Sequence, residues 1–391
     1  MIPKLAGLNC PSCGAALEIR SFGNALNVVC PNCLAVLDAK DPNLQILQQA
    51  QSREKIPPLI PLGSRGTLSG VKYDVIGFQV RTAGEADDSY QWQEYLLFNP
   101  YHGFRYLTEY NGHWNFVRTL QALPEPIFKR QVRYAGEAYT RLSEADASTS
   151  YVIGEFPWQV RVGEVVQVKD YVHTPRLLSS ESTAAETVWS LGTYITGAEI
   201  WKAFALQGAS PAAVGVFENQ PSPYVGKIGS LWKTSLGLIA AALVLTALVS
   251  VMAGTKDIYT QNFALTTAAA VTAPFEVGGF VSNLQIVTRN HGSESLYVRY
   301  SLIDQQNGHA TIFGRDVYRD DIATVPSVGR GRYYIRAEAD RLPASFDIRV
   351  RRGVPSMAFF WITALLLLAP PVARTWQKLS FEKRRWQENS A

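Results

Sequence analysis

All four cysteines of the 391-residue chain occur as Cys10-Pro-Ser-Cys13 and Cys30-Pro-Asn-Cys33, with sixteen residues between the two pairs. A C-x-x-C pair sets two thiolates on one tight turn, and two such turns complete the tetrahedral sulfur cage that zinc favours. Iron suits the same donors, and two disulfides or redox chemistry are the other uses of this spacing. The reading taken forward is one structural zinc ion held by Cys10, Cys13, Cys30 and Cys33. Free thiolates persist in reducing compartments, which places this end of the chain in the cytoplasm. Residues 1–8 contain no apolar core of signal-peptide length. Gly14 follows the first knuckle, where a residue without Cβ lets the backbone bend toward the metal. Leu34 stands at the equivalent place in the second.

A second concentration of reactive side chains lies between Tyr90 and Phe116, where ten aromatics fall in twenty-seven residues. Glu94, His102, Glu109 and His113 sit among them, and an acid with a histidine can transfer protons. No third group completes a constellation: G-x-S-x-G, H-E-x-x-H and phosphate-binding glycine loops are all missing from the sequence. Glu94 and His113 are therefore expected to hydrogen-bond inside a crowded aromatic sheet. The alternative is a ligand or partner surface formed by Trp92, Glu94, Tyr95, His113 and Trp114. Asp316, Asp320 and Asp321 lack the spacing of a calcium loop and read as a solvated face.

The elements that carry these residues are mostly strands. Asn99-Pro100-Tyr101-His102-Gly103 and Asn111-Gly112 are hairpin turns, and alternating apolar residues flank them. "YDVIGFQV" and "YVIGEFPWQV" hint at one repeated unit. Thr196 and Glu199 form a capping box that opens a short helix. Two stretches, Thr234–Gly254 and Gly353–Ala373, are uncharged and long enough to span a bilayer. Pro370 and Pro371 should end or kink the second near one interface. Gly237, Ala241 and Ala242 offer a small-residue face for Phe359, Phe360 and Trp361, or for a second copy, which allows a homo-oligomer. Lys227 and Lys233 precede the first stretch, and Arg374, Lys378, Lys383, Arg384 and Arg385 follow the second, so both ends read as cytoplasmic. Between the stretches, "SLYVRYSLID" and "FDIRVRR" alternate as strands of a β-sandwich.

The run Gly77-Phe78, Trp92, Glu94, Tyr95, Gly103-Phe104-Arg105-Tyr106-Leu107 and Gly112-His113-Trp114, followed by "GEFPWQVRVGE", resembles the bacterial domain of unknown function 4178 family. Full-length members of that family resemble this chain in having an N-terminal zinc ribbon and two C-terminal spans around a β-rich insert. The resemblance brings no activity. It implies protein partners of the polyamine-biosynthesis-like or membrane-stress kind.

The fold class expected is a mainly β, multidomain membrane protein. Its parts are a zinc ribbon (1–39), a linker (40–59), a cytoplasmic antiparallel β domain (60–226), and a first transmembrane helix (232–254). An extracytoplasmic β-sandwich (255–352), a second transmembrane helix (354–373) and a basic cytoplasmic tail (374–391) complete it. The expected function is a non-enzymatic scaffold or adaptor in the bacterial inner membrane that relays envelope state through protein contacts. An enzyme or ligand binder using Tyr90–Trp114 is the first alternative, and a zinc-ribbon nucleic-acid binder the second. The nucleic-acid reading is disfavoured because residues 8–38 contain Arg20 as their single base against Glu18 and Asp38. Phosphate binding draws its affinity from several basic side chains.

Overall fold

The computed structural model describes residues 8–21, 23–49, 55–84, 89–267, 269–279, 281–354 and 356–389. They form two compact units, Met1–Val225 with Gln377–Ala391, and Gly226–Trp376.

The cysteine-bearing segment folds as β1 (Leu8–Asn9), β2 (Ala16–Leu17), β3 (Asn27–Val29) and β4 (Val36–Asp38). Next come β5 (Ile46–Gln48), β6 (Arg65–Leu68), β7 (Val71–Ala83), β8 (Tyr90–Asn99), β9 (Gly103–Tyr110) and β10 (His113–Thr119). Then follow β11 (Glu125–Phe128), β12 (Gln131–Tyr134), β13 (Glu137–Phe156), β14 (Val165–His173), β15 (Arg176–Ser182), β16 (Thr187–Ile195) and helix α1 (Gly197–Ala203). Neighbours around the ring are β13, β14, β15, β16, β10, β9, β8 and β7, and β7 pairs back onto β13. The result is a closed eight-stranded antiparallel barrel.

The expected turns are present. Asn99 Oδ1 accepts from the N–H groups of Tyr101 and His102 at 2.8 and 2.9 Å. Asn111 and Gly112 take φ values of 49° and 80°, the pair of left-handed residues that a type I′ hairpin demands. Thr196 and Glu199 make the reciprocal capping box at the start of α1. The segment expected as a linker contributes β5, which pairs with β4.

The two "V-I-G" repeats turn out to be partners. Gly77 lies opposite Gly154 in the β7–β13 register that closes the barrel. A Cβ on Gly154 would meet Ile76 O at 2.3 Å, and one on Gly77 would meet Glu155 O at 2.7 Å. Gly154 also has φ +94°, a conformation that strains any other residue.

The second unit begins with α2 (Ile228–Ala253) and ends within α3 (Ala358–Asn389). Between them run β17 (Lys256–Leu265), β18 (Ala269–Val271), β19 (Phe275–Val277), β20 (Ser282–Asn290) and β21 (Leu296–Asp304). β22 (Ala310–Val317), β23 (Asp320–Val328), β24 (Gly331–Ala339) and β25 (Ala344–Arg352) follow. They make two sheets, β17-β25-β20-β23 and β18-β24-β21-β22, with β19 added on β24. One apolar core serves both sheets, and Val298, Ile335, Phe346, Ile348 and Val350 within it are fully buried. The alternation in "SLYVRYSLID" accounts for it: Leu296, Val298, Tyr300 and Leu302 are all buried. Asp320 and Asp321 ion-pair with Arg289 and Arg315.

Both apolar helices are long enough to cross a membrane, by length and composition. The prolines do not end α3, which continues through Pro370 and Pro371 to Asn389. One turn on from the prolines, Thr375 Oγ1 donates to the carbonyl of Pro371 at 2.7 Å and accepts from Trp232 Nε1 of α2 at 3.1 Å. The expected small-residue groove is not filled within the chain. A Cβ on Gly237 would have no neighbour within 4 Å, and Phe359 and Trp361 are exposed.

Gly154→Ala should cost about 3 kcal/mol or more, since the backbone strain and the carbonyl clash act together. Denaturant melts of the detergent-solubilised chain, compared with Gly103→Ala in an open turn, are the check.

Candidate functional site

The four cysteine Sγ atoms lie within 4.8 Å of one another. Cys10 and Cys33 are 3.7 Å apart, and Cys13 and Cys30 are 3.8 Å apart. Those gaps exclude disulfides, whose sulfurs sit about 2 Å apart. They match the roughly 3.8 Å edge of a tetrahedron with metal–sulfur bonds of about 2.3 Å. The two knuckles are built alike. Gly14 N and Leu34 N donate to the carbonyls of Cys10 and Cys30, while Cys10 N and Cys30 N donate to those of Ala15 and Ala35. Leu34 therefore takes the bend expected of glycine, at φ 60°. Cys10 and Cys30 are buried and Cys13 is exposed. Backbone and Asn32 N–H groups lower the Cys13 thiol to about 6, while burial pushes Cys30 up to about 12. Without a cation these sulfurs cannot all ionise together, so a thiolate-binding metal fits them.

This cysteine clip is stitched into the barrel. β3 pairs with the end of β13. Glu155, buried on β13, accepts from Arg20 N, Ser21 N and Ser21 Oγ at 2.6, 2.7 and 2.5 Å. Asn27 Oδ1 accepts from Val160 N at 2.7 Å.

The barrel interior is the second concentration of polar groups. Arg81 on β7 reaches Glu181 on β15 at 3.3 Å. Two strands, β13 and β14, separate β7 from β15 around the ring, so this bond crosses the interior. The register places Gln79, Trp92 and Glu94 on the same face as Arg81. Glu94 accepts from Trp92 Nε1 at 2.6 Å and from Gln79 Nε2 at 2.5 Å. Asp170 of β14 and Glu218, from the segment after α1, both approach Ser143 Oγ, at 3.4 and 3.3 Å. Ser179 also hydrogen-bonds Asp170, so Glu218 is the less well served of the two carboxylates. Burial raises Asp170 to about 6, and burial with the Asp170 charge raises Glu218 well above the usual carboxylate range. Glu181 is raised by burial against the lowering effect of Arg81. Asp170 and Glu218 are both partly buried.

The five residues singled out from sequence do not form one surface. Trp92 and Glu94 point into the barrel. Tyr95 and Trp114 are fully buried in an apolar core with Ile200 and Phe204, so a partner surface made from them is ruled out by packing. His113 is buried: its Nε2 donates to Val214 O at 3.1 Å and its Nδ1 accepts from Tyr194 OH at 2.9 Å. Burial lowers its pKa, leaving a neutral ring stacked on Phe217. The expectation that Glu94 and His113 make hydrogen bonds within the sheet therefore holds. Glu109 accepts from Gly112 N at 2.7 Å and is raised by burial, and His102 sits in the β8–β9 turn.

The C-terminal end of α3, in the segment expected as a basic tail, packs within the barrel unit. Arg385 is 1% exposed and donates to the carbonyls of Phe217, Glu218 and Gln220 at 3.0, 2.5 and 2.6 Å. Its Nε bonds Glu382 at 3.0 Å. Glu388 accepts from Val216 N at 2.8 Å, and Asn389 donates to Val216 O at 2.8 Å. The segment that presents Glu218 to the interior is thus held from behind by this helix.

A closed β barrel with a four-cysteine metal-type clip and two apolar helices is the class these features define. Within it, residues 61–197 match the family described as Domain of unknown function (DUF4178), so the resemblance read from the aromatic motif is borne out over the barrel. No curated protein matches the sequence. Among solved structures, the chain is similar to an exo-β-1,3-galactanase from Phanerochaete chrysosporium at 7% identity, covering 67% of this chain and 78% of that one, with a TM-score of 0.17. The mosquito-larvicidal Cry4Aa toxin from Bacillus thuringiensis gives 8% identity, covering 74% of this chain and 53% of that one, with a TM-score of 0.16.

Sequence reasoning missed Arg81, Asp170, Glu181, Glu218 and Arg385. The available signal was Gln79 and Arg81 alternating with Phe78 and Val80 in β7.

Two measurements check the site. Elemental analysis of the purified chain should give one metal ion per chain, lost in Cys13→Ser and Cys33→Ser. The pH dependence follows from Asp170, whose folded pKa lies above its unfolded value near about 4. Its contribution is fully present below about pH 4 and is lost as pH rises through about 6. Asp170→Asn should therefore raise the melting temperature relative to wild type at pH 8 and do so less at pH 4.

Proposed function

We propose that this is a non-enzymatic, two-pass scaffold of the bacterial inner membrane that relays envelope state to protein partners in the cytoplasm. On this reading α2 and α3 span the bilayer, residues 255–352 stand outside, both termini are cytoplasmic, and the cysteine clip holds zinc. The observation that carries it is α3. One helix begins in the apolar stretch and ends with Arg385 buried against the barrel segment 217–220. That the residues before Gly226 and after Trp376 belong to one unit supports an even number of crossings. The positive flanks and the thiolates support the cytoplasmic side.

A second reading has an observation of its own. Asp170 and Glu218 both approach Ser143 Oγ in a closed eight-stranded barrel, an architecture whose interior can hold one small ligand. Such a ligand would act on the same segment that Arg385 grips.

The test is Arg385→Ala. It leaves three backbone carbonyls without their donor, at a local cost of about 1–3 kcal/mol each in the worst case. Amide exchange at residues 216–220 and 380–389 should rise while the barrel strands stay protected. Partners captured with the full chain from membranes, identified by mass spectrometry, should be lost from the variant although it remains membrane-inserted. An unchanged partner set would remove the relay.

A further inference from the structure

We infer that the β11–β12 hairpin is a bilayer-contacting element that docks on an anionic membrane surface. Every residue of β11 is exposed. Leu123 and Phe128 are 74% and 75% exposed, and Ile127 is 40% exposed. Phe128 and Ile127 stand at the turn and Leu123 at the other end of the hairpin, and large apolar side chains held in water along one hairpin mark an interaction surface. Lys129 and Arg130 lie in the turn and Arg133 farther along β12, all exposed, and none belongs to an ion pair among the described residues. Glu125, across from Arg133, is the one acid between Ala122 and Tyr134.

The hairpin is held rigidly. Val132, on its other face, is buried with Tyr139, Leu178 and Leu191. Arg130 O accepts from Arg141 N at 2.7 Å. The apolar tip is thus presented by a fixed scaffold rather than by a collapsed loop.

Charge and hydrophobicity together choose the occupant. A second copy docking tip to tip would bring like cations together. An acidic protein surface would pair with the cations but leave Phe128 and Leu123 to be covered separately. An anionic bilayer satisfies both: acyl chains take the aromatic and leucine side chains while phosphates face the cations. The chain already carries two membrane-length apolar helices, so the hairpin acts at high local lipid concentration and needs only modest affinity.

The test uses the full chain in vesicles of phosphatidylcholine, with or without phosphatidylglycerol. A photoreactive benzoyl-phenylalanine replaces Phe128 in one variant and Tyr101, which is 93% exposed in the β8–β9 turn, in the other. Lipid adducts are expected at position 128 in the phosphatidylglycerol vesicles, and few at position 101. Arg130→Gln should lower the docked-to-free ratio about five-fold, and Lys129→Gln by a similar factor, at an unchanged melting temperature. Adducts to a second copy, adducts to another protein in native membranes, or no adduct at position 128 would overturn the inference. So would equal lipid adducts in neutral vesicles or at position 101.

Discussion

Closure of the β7–β13 seam is the contact on which the first unit depends. An eight-stranded sheet left open would carry two unpaired edges, and closing it requires strong local curvature. The curvature is concentrated at the seam itself. Register shifts interrupt β7 between Val75 and Gly77 and β13 between Thr149 and Tyr151, and such bulges bend a strand while adding twist. Gly77 and Gly154 then allow the backbones to approach where no Cβ would fit. Because β13 is twenty residues long, one half pairs with β14 and the other with β7. Its two ends also hold β12 and β3. The cysteine clip, the exposed hairpin and the interior charges therefore all inherit their positions from one strand.

A closed ring makes the interior a distinct medium. Arg81 is 6% exposed and has one carboxylate partner, Glu181, at 3.3 Å, with the Glu94 carboxylate also acting on it. Burial disfavours the charged form of Asp170, Glu181 and Glu218 and raises all three, while Glu94 is held by hydrogen bonds from Trp92 and Gln79. Arg385 shows the opposite solution. A buried guanidinium is tolerable only when its donors are used, and three carbonyls plus Glu382 use them. One of the basic residues counted toward the charge of the tail is thus structural.

Local chemistry was legible in the sequence because it depends on near neighbours. The two knuckles, the Asn111-Gly112 turn, the Thr196–Glu199 box and the alternation in β21 and β25 all follow from residues within a few positions. Features set by distant pairings were not. Nothing near Tyr95 or Trp114 says that α1 will cover them, and nothing near Arg385 points to the carbonyls of residues 217–220. The "V-I-G" repeat was visible, but not that its two copies lie on strands that pair with each other. The prolines of α3 carry a local cost that can be read from the sequence, but they do not end the helix, which runs on to Asn389.

Continuity of α3 matters for the proposed relay because a helix transmits what a flexible linker would absorb. No loop lies between the apolar stretch and Arg385. On the proposed reading, rotation or sliding of the span is felt at the carbonyls of Phe217, Glu218 and Gln220. The side chain of one of these residues, Glu218, approaches Ser143 Oγ alongside Asp170. A change in span position and a change in interior protonation or occupancy would then bias the same segment. Linkage requires that influence to run equally in both directions. A protein built this way would report on the membrane to the barrel, and would let whatever fills the barrel set the preferred position of the helix.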